Sequence, residues 1–180
     1  MTLEDKVVLI TGARRIGQTV ATACAGRGSR VAVTYHTSRD EAEAVVRAIE
    51  AGGGQALAVQ ADLSRRDDVD RMASAVVERF GGVDVLVNMA SLYSHTPLAT
   101  LTEALALELA GDQILVNCVA PGPILPPPGL SEAEDREVRA ATPLGRWGGP
   151  EEIAKAVLFL IETDFVTGHC LVVDGGRHLR

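Results

Sequence analysis

Short apolar runs rich in β-branched residues, at 7–11, 30–35, 56–61 and 83–88, alternate with stretches whose apolar residues recur at helical spacing. Strands and amphipathic helices in strict alternation bury their apolar faces by laying the strands parallel in one sheet with helices over it. The pattern therefore predicts an α/β fold, a doubly wound parallel sheet, as one domain over residues 1–180. With 180 residues, 47% of them hydrophobic, the chain can bury one substantial core and is too short for two comfortable domains.

The first helix places Ile16, Val20, Ala21 and Cys24 along one side. The second carries Ala42, Val45, Val46 and Ile49 at the spacing of a buried face, and Gly52-Gly53-Gly54 stops it. After the third strand, Ser64 with Asp67 resembles a capping box, opening a helix whose apolar side is Val69, Met72, Ala73, Val76 and Phe80. The run at 83–88 is apolar throughout its centre, as a strand buried on both faces should be. A leucine-rich helix over 101–110 leads to a strand at 114–119 and a stiff, proline-rich surface loop at 121–129. The segment 131–141 is polar and helical in composition, Pro150 opens a helix running to Leu160, and 169–173 forms a last strand.

The net charge of -7 is spread along the chain without a basic block, which argues against nucleic acid as a partner. Cys24, Cys118 and Cys170 are far apart and odd in number, so neither a disulfide framework nor a metal site is expected, and each reads as a small buried apolar residue. The apolar run that follows the charged first residues is too brief for a signal-peptide core or a membrane span, so the expected location is cytoplasmic with no membrane partner.

The first strand ends in Thr11-Gly12-Ala13-Arg14-Arg15-Ile16-Gly17, a glycine-containing turn that opens into a helix. Gly12 permits a tight turn and Gly17 close packing of the helix on the sheet, so the turn amides and the helix dipole can face a pyrophosphate. An ordinary strand-to-helix turn would read the same way, and Arg14 and Arg15 favour the phosphate. Where an acidic residue would grip a ribose 2'-hydroxyl, the chain has Tyr35-His36-Thr37-Ser38-Arg39. Hydroxyl, imidazole and guanidinium donors welcome a 2'-phosphate that a carboxylate would repel, which favours NADP(H) over NAD(H). Thr37 or Ser38 could equally serve as a helix N-cap.

Together Thr11-Gly12 with Arg15-Ile16-Gly17, Asp62-Leu63, Asn88-Met89-Ala90-Ser91, Asn117 with Pro121-Gly122, and Val172-Val173-Asp174-Gly175-Gly176 resemble the short-chain dehydrogenase/reductase family, a Rossmann-like fold. The Arg-Ile-Gly ending of the first loop, Tyr35-His36 with Ser38, Tyr93 beyond Ser91, and Thr142-Pro143-Leu144-Gly145-Arg146 before Pro150-Glu151 look like its pteridine-reductase-like branch. The resemblance runs from Lys6 to about Arg177. It implies that Asp62 and Leu63 contact adenine, that Asn88 and Ala90 form the strand end by the adenosine ribose with Ser91 among the cofactor-binding residues, and that Pro121, Gly122 and Ile124 line the nicotinamide side. Arg15 would lie near both phosphates and substrate.

Members of the family run to about 250 residues, so roughly 65 to 70 are absent, far more than a trimmed loop. Matching from both ends places the gap near Leu98 to Leu101. The missing piece would hold a helix, the fifth strand with the active-site serine, and the Tyr-x-x-x-Lys start of the central helix. The chain's two lysines are Lys6 and Lys155, and neither follows a tyrosine by four residues. In the family the tyrosine transfers the proton while the lysine lowers its pKa, so no catalytic residue is assigned. Tyr93 and His95 lie beyond the fourth strand, but a substitute acid needs a positioned partner and neither has an evident one; Lys155 reads as a solvated lysine and Trp147 as a hydrophobic anchor. The first loop is one residue shorter than the family pattern, and Met89 replaces its second asparagine.

A right-handed crossover could lay the 114–119 strand beside 83–88, for a sheet ordered third, second, first, fourth, 114–119, last. Three readings follow: an NADP(H)-dependent oxidoreductase acting on a carbonyl or pterin-like small molecule and impaired by the loss; a non-catalytic NADP(H)-binding module; or an internally truncated, non-functional product. The family's central helix also builds subunit contacts, so a homo-oligomer is possible.

Overall fold

The computed structural model describes residues 2–89 and 98–179. The chain forms two compact units, 1–93 and 94–180.

In the first unit, β1 (Val7–Thr11), α1 (Ile16–Ala25), β2 (Arg30–Tyr35), α2 (Arg39–Ala51), β3 (Ala56–Gln60), α3 (Arg66–Phe80) and β4 (Val85–Asn88) follow in strict alternation. All ladders are parallel and the sheet order is β3-β2-β1-β4. Every residue of β1 is buried, as its place between β2 and β4 requires. Alternate residues of a strand face opposite sides. Val7 and Leu9 join Ala32, Ala61, Met72, Val76 and Phe80 in the core beneath α3. Val8, Ile10, Val31 and Val33 have the other parity, the side on which α1 and α2 bury Val20, Ala21, Cys24, Ala42, Val45 and Ile49.

Three local expectations change. No capping box forms at Ser64: its hydroxyl donates to Asp62 Oδ1 at 2.7 Å, and Arg65 takes the N-cap position without a side-chain bond. Ala73 is exposed, one position off the Met72, Val76, Phe80 stripe. β4 is not buried on both faces: no strand pairs with its far edge among the described residues, and Leu86 is 55% exposed.

The amino ends of β1 and β4 are tied by a carboxylate. Asp84 Oδ2 accepts the Val7 N–H at 2.8 Å and Oδ1 the Lys6 ammonium at 2.9 Å. The Val7 amide, and then Lys6, hold the Asp84 carboxyl below its ordinary pKa against the opposing effect of burial. A carboxyl with a depressed folded pKa stabilises the fold above its unfolded pKa and loses that contribution as pH falls through the folded one. Asp84→Asn is expected to lower stability by about 1–3 kcal/mol at about pH 7 and by much less at about pH 3. Urea midpoints at the two pH values check this, and an equal loss at both would reject the charge-assisted tie.

In the second unit, α4 (Leu98–Leu109) and a 3-10 turn (Ala110–Asp112) precede β5 (Cys118–Pro121), α5 (Glu132–Ala140), α6 (Pro150–Glu162), β6 (Cys170–Val173) and a 3-10 turn (Arg177–Leu179). β5 and β6 form a two-stranded parallel ladder of their own, and α4 and α6 pack on it. The six-stranded order expected from the sequence is thus not what these ladders form. The strand expected at 114–119 begins instead at Cys118. Before it, side chains supplement a single backbone bond, from the Gly168 N–H to the Val116 carbonyl at 2.8 Å: Asn117 Nδ2 donates to the Val166 carbonyl at 2.7 Å, its Oδ1 accepts the His169 N–H at 3.1 Å, and Thr167 Oγ1 accepts the Val116 N–H. A capping box does form at α5, where Ser131 Oγ accepts the Glu134 N–H and Glu134 Oε2 accepts the Ser131 N–H at 2.9 Å. Pro150 starts α6 as expected. Trp147 is an anchor, but through its indole N–H, which donates to Asp135 Oδ1 at 2.7 Å. No helix among the described residues is long and apolar enough to cross a membrane.

Candidate functional site

At the carboxyl end of β1 the chain turns on Gly12, whose φ of 93° lies where L side chains are strained. The loop is pinned to β2: the Gly12 N–H donates to Thr34 Oγ1 at 3.2 Å and the Ala13 N–H to the Thr34 carbonyl at 3.1 Å. Those two amides therefore do not face a phosphate, contrary to the expectation for the whole turn. Arg15, at the N-cap position of α1, has φ 53° without being glycine. Such a conformation costs on the order of 1–3 kcal/mol and persists where its surroundings enforce it, often at functional sites. Gly17 sits so close to the turn that a Cβ there would strike the Gly12 carbonyl oxygen. The close contact requires glycine at 17, and the positive φ favours it at 12. Arg14 is exposed and its Nε lies 3.4 Å from Glu41 Oε1, so α2 engages one of the two guanidiniums expected to favour a phosphate.

The ends of β2 and β3 meet beside this loop. The Ala61 N–H donates to the Tyr35 carbonyl at 2.9 Å and Gln60 Nε2 to the His36 carbonyl at 3.1 Å. His36 and Thr37 are exposed, Tyr35 and Ser38 half-buried. Ser38 holds the N-cap position of α2 without a side-chain capping bond, and Thr37 does not cap at all. His36 Nε2 lies 3.9 Å from Asp62 Oδ2. Asp62 is held below its ordinary pKa by the Ser64 hydroxyl and then the Ser64 amide, with His36 contributing less. Leu63 packs at the edge of the core under α3. Across the sheet, Thr11 Oγ1 accepts the Met89 N–H at 2.9 Å and donates to Asn88 Oδ1 at 3.5 Å, joining the carboxyl ends of β1 and β4. The structure therefore gathers Gly12, Arg14, Arg15, Ile16, Gly17, Tyr35, His36, Thr37, Ser38, Asp62, Leu63 and Asn88 along one edge of the first unit's sheet, where ligands bind in such folds. Ala90, Ser91, Tyr93 and His95 lie outside the described residues.

Within the second unit, Pro121 ends β5, and the Gly122 N–H donates to the Val173 carbonyl at 2.9 Å. A Cβ on Gly122 would come 2.6 Å from Asp174 Cα, so this position too is glycine by close approach. Ile124 is buried and its carbonyl accepts the Gly149 N–H at 3.0 Å. Asp174 accepts the Gly176 and His178 N–H groups and His178 Nδ1. Burial pushes its carboxyl up, but the bonds from His178 and Gly176 outweigh this and hold it below the ordinary value. Sequence reasoning missed Thr34 as the loop's anchor; its only signal was a hydroxyl directly after the apolar run Val31-Ala32-Val33.

Residues 6–103 match the family described as short chain dehydrogenase. Residues 93–178 match the one described as Enoyl-(Acyl carrier protein) reductase. A 3beta-hydroxysteroid dehydrogenase of Eggerthella lenta is 30% identical over 248 residues, an alignment covering 98% of this chain and 95% of that protein. The chain belongs to the short-chain dehydrogenase/reductase family. Among solved structures, a short-chain dehydrogenase/reductase of Serratia marcescens is similar, with a TM-score of 0.89 and 27% identity, covering 98% of this chain and 99% of that one. A blue fluorescent protein from a metagenomic library, in complex with NADPH, has a TM-score of 0.88 at 26% identity and the same coverage.

Proposed function

We propose that this short-chain dehydrogenase/reductase keeps an NADP(H) cradle and has lost the groups that transfer the proton, which leaves it impaired as an oxidoreductase. The observation that carries the first half is Gly17, where any side chain would fill the gap against Gly12 that a bound pyrophosphate edge needs kept tight. In this reading Arg15, Ile16 and the first turn of α1 face the phosphates, His36, Thr37 and Ser38 receive a 2'-phosphate, and Asp62 and Leu63 contact adenine. Asn88, Ala90 and Ser91 lie by the adenosine ribose, and Pro121, Gly122 and Ile124 line the nicotinamide side. The NADPH complex of a relative supports that choice of coenzyme. Bound NADPH supplies a hydride for reducing a carbonyl or imine.

The second half rests on what the chain lacks. An alignment of 248 residues that covers nearly all of a 180-residue chain and of its relative supports a missing internal stretch, which we place near residues 98–101. Leu86, apolar yet half exposed on the outer strand, supports the absence of a neighbouring element. Neither lysine replaces the lost one. Lys6 is bound to Asp84 at the opposite end of β1 from Gly12, about 20 Å away at the rise of a strand. Lys155 is solvated and lies 3.6 Å from Glu152. The first-loop and Tyr35–Ser38 residues favour the pteridine-reductase-like branch, with a carbonyl or pterin-like small molecule as substrate and a cytoplasmic setting.

Adding NADPH at about a hundred times its dissociation constant is expected to stabilise the chain by about 2.7 kcal/mol, a shift of several degrees in Tm. NADH should do less, and no oxidation of NADPH should occur with a panel of ketones, aldehydes and pterins. Turnover above a protein-free control would reject the impairment. No thermal shift with either coenzyme would reject the cradle and favour a non-functional product.

A further inference from the structure

Cys118 and Cys170 stand directly opposite one another in the β5–β6 ladder, and their sulfurs are 2.9 Å apart. Paired strands run about 4.7–4.9 Å apart, inside the Cα separation of about 4.4–6.8 Å that a disulfide accepts. Directly paired residues of a parallel ladder leave the sheet on the same face. No backbone shift is needed to aim one thiol at the other. Cys24 belongs to the first unit, where it is fully buried and has no other cysteine for company.

We propose that Cys118 and Cys170 are a disulfide-forming pair that responds to a low-molecular-weight disulfide such as oxidised glutathione. Cys170 is the better exposed of the two and reacts first. Its thiolate attacks one sulfur of the oxidant, forming a mixed disulfide and releasing one glutathione thiolate. The Cys118 thiolate then attacks the Cys170 sulfur, the Cys118–Cys170 bond forms, and the second glutathione thiolate leaves. Both protein thiols give up their protons and are oxidised, while the oxidant is reduced to two thiols. Burial and then the neighbouring Cys170 sulfur push the Cys118 thiol up to about 11, which keeps its thiolate scarce, so the second, intramolecular step relies on the 2.9 Å proximity of the two sulfurs.

The bond would staple the sheet that holds the loop after β5. β5 runs into Pro121 and Gly122, and β6 into Asp174, against which Gly122 packs. It would also close a loop between residues 52 apart in sequence, which restricts the unfolded chain.

The test is made on the full natural chain, incubated with excess oxidised glutathione at mildly alkaline pH, then alkylated in denaturant, digested without reductant and weighed. The expected product is a linked pair of peptides carrying Cys118 and Cys170, lighter by two hydrogen atoms, with Cys24 recovered alkylated. The oxidised chain should melt several degrees higher, and dithiothreitol should reverse the rise. C24S should keep the rise and C170S should lose it. Recovery of Cys118 and Cys170 as alkylated thiols, as glutathione adducts only, or linked to Cys24 or to a second chain would overturn the proposal. Because the linkage is read on the natural chain, the proposal stands or falls even where a variant fails to fold.

Discussion

Gly17→Ala is expected to destabilise the chain by about 1–3 kcal/mol and to abolish its thermal response to NADPH. The new methyl would strike the Gly12 carbonyl oxygen. Neither partner can retreat easily. Gly12 is held by Thr34 on one side and adopts a left-handed φ that fixes the course of the turn. Gly17 is buried in the first turn of α1, which packs on the sheet through Val20, Ala21 and Cys24. Helix propensity alone points the other way, since alanine is favoured over glycine by about 1 kcal/mol inside a helix. The sign of the change therefore separates a close approach from an ordinary helix position. Urea unfolding and a melt with and without NADPH make the measurement. An unchanged or raised midpoint would reject the close contact, and an intact coenzyme shift would reject a role for Gly17 in shaping the cradle.

Ile10→Ala is expected to cost about 2–5 kcal/mol, a large part of the roughly 5–15 kcal/mol by which domains are stable. Ile10 is fully buried and is paired with Val33 of β2 and Val87 of β4. Truncation would leave a cavity in the centre of the sheet, where strands on both sides limit collapse. Leu86→Ala supplies the contrast, because its side chain is already more than half in water. It should cost about 1 kcal/mol or less. Urea midpoints of the two variants give the comparison. Similar costs would mean that the outer strand is covered after all, and would count against a missing neighbour.

Much of the first unit was legible because its signals are local. Each helix announced itself by apolar spacing, and Ala42, Val45 and Ile49 are buried as that spacing demands. β2 occupies the residues expected of it, Arg30–Tyr35, because a β-branched run between a glycine-rich turn and a polar cluster leaves little choice of boundary. The glycine pair at Gly12 and Gly17 was legible because special backbone geometry restricts residue type. The capping boxes show where local reading fails. Ser64-x-x-Asp67 has the pattern, but Asp62 captures the Ser64 hydroxyl. Ser131-x-x-Glu134, set in a helix with no buried residue, forms the real one. Composition near the site was similarly ambiguous: two arginines favour a phosphate on paper, and Glu41 of the next helix reaches one of them.

From its residues alone the chain declared a parallel α/β architecture, the turn that fits a dinucleotide, and the absence of a tyrosine–lysine pair, since periodicity, backbone restriction and residue identity are all properties of neighbours in sequence. Tertiary structure alone decided that β4 ends the first unit's sheet among the described residues, that β5 begins at Cys118 beside the bonds of the Asn117 side chain, and that two cysteines separated by 52 positions stand sulfur to sulfur. Those outcomes depend on which distant segments pair and in what register. Pairing is settled by the summed burial and hydrogen bonding of a whole unit, which no short window of sequence contains.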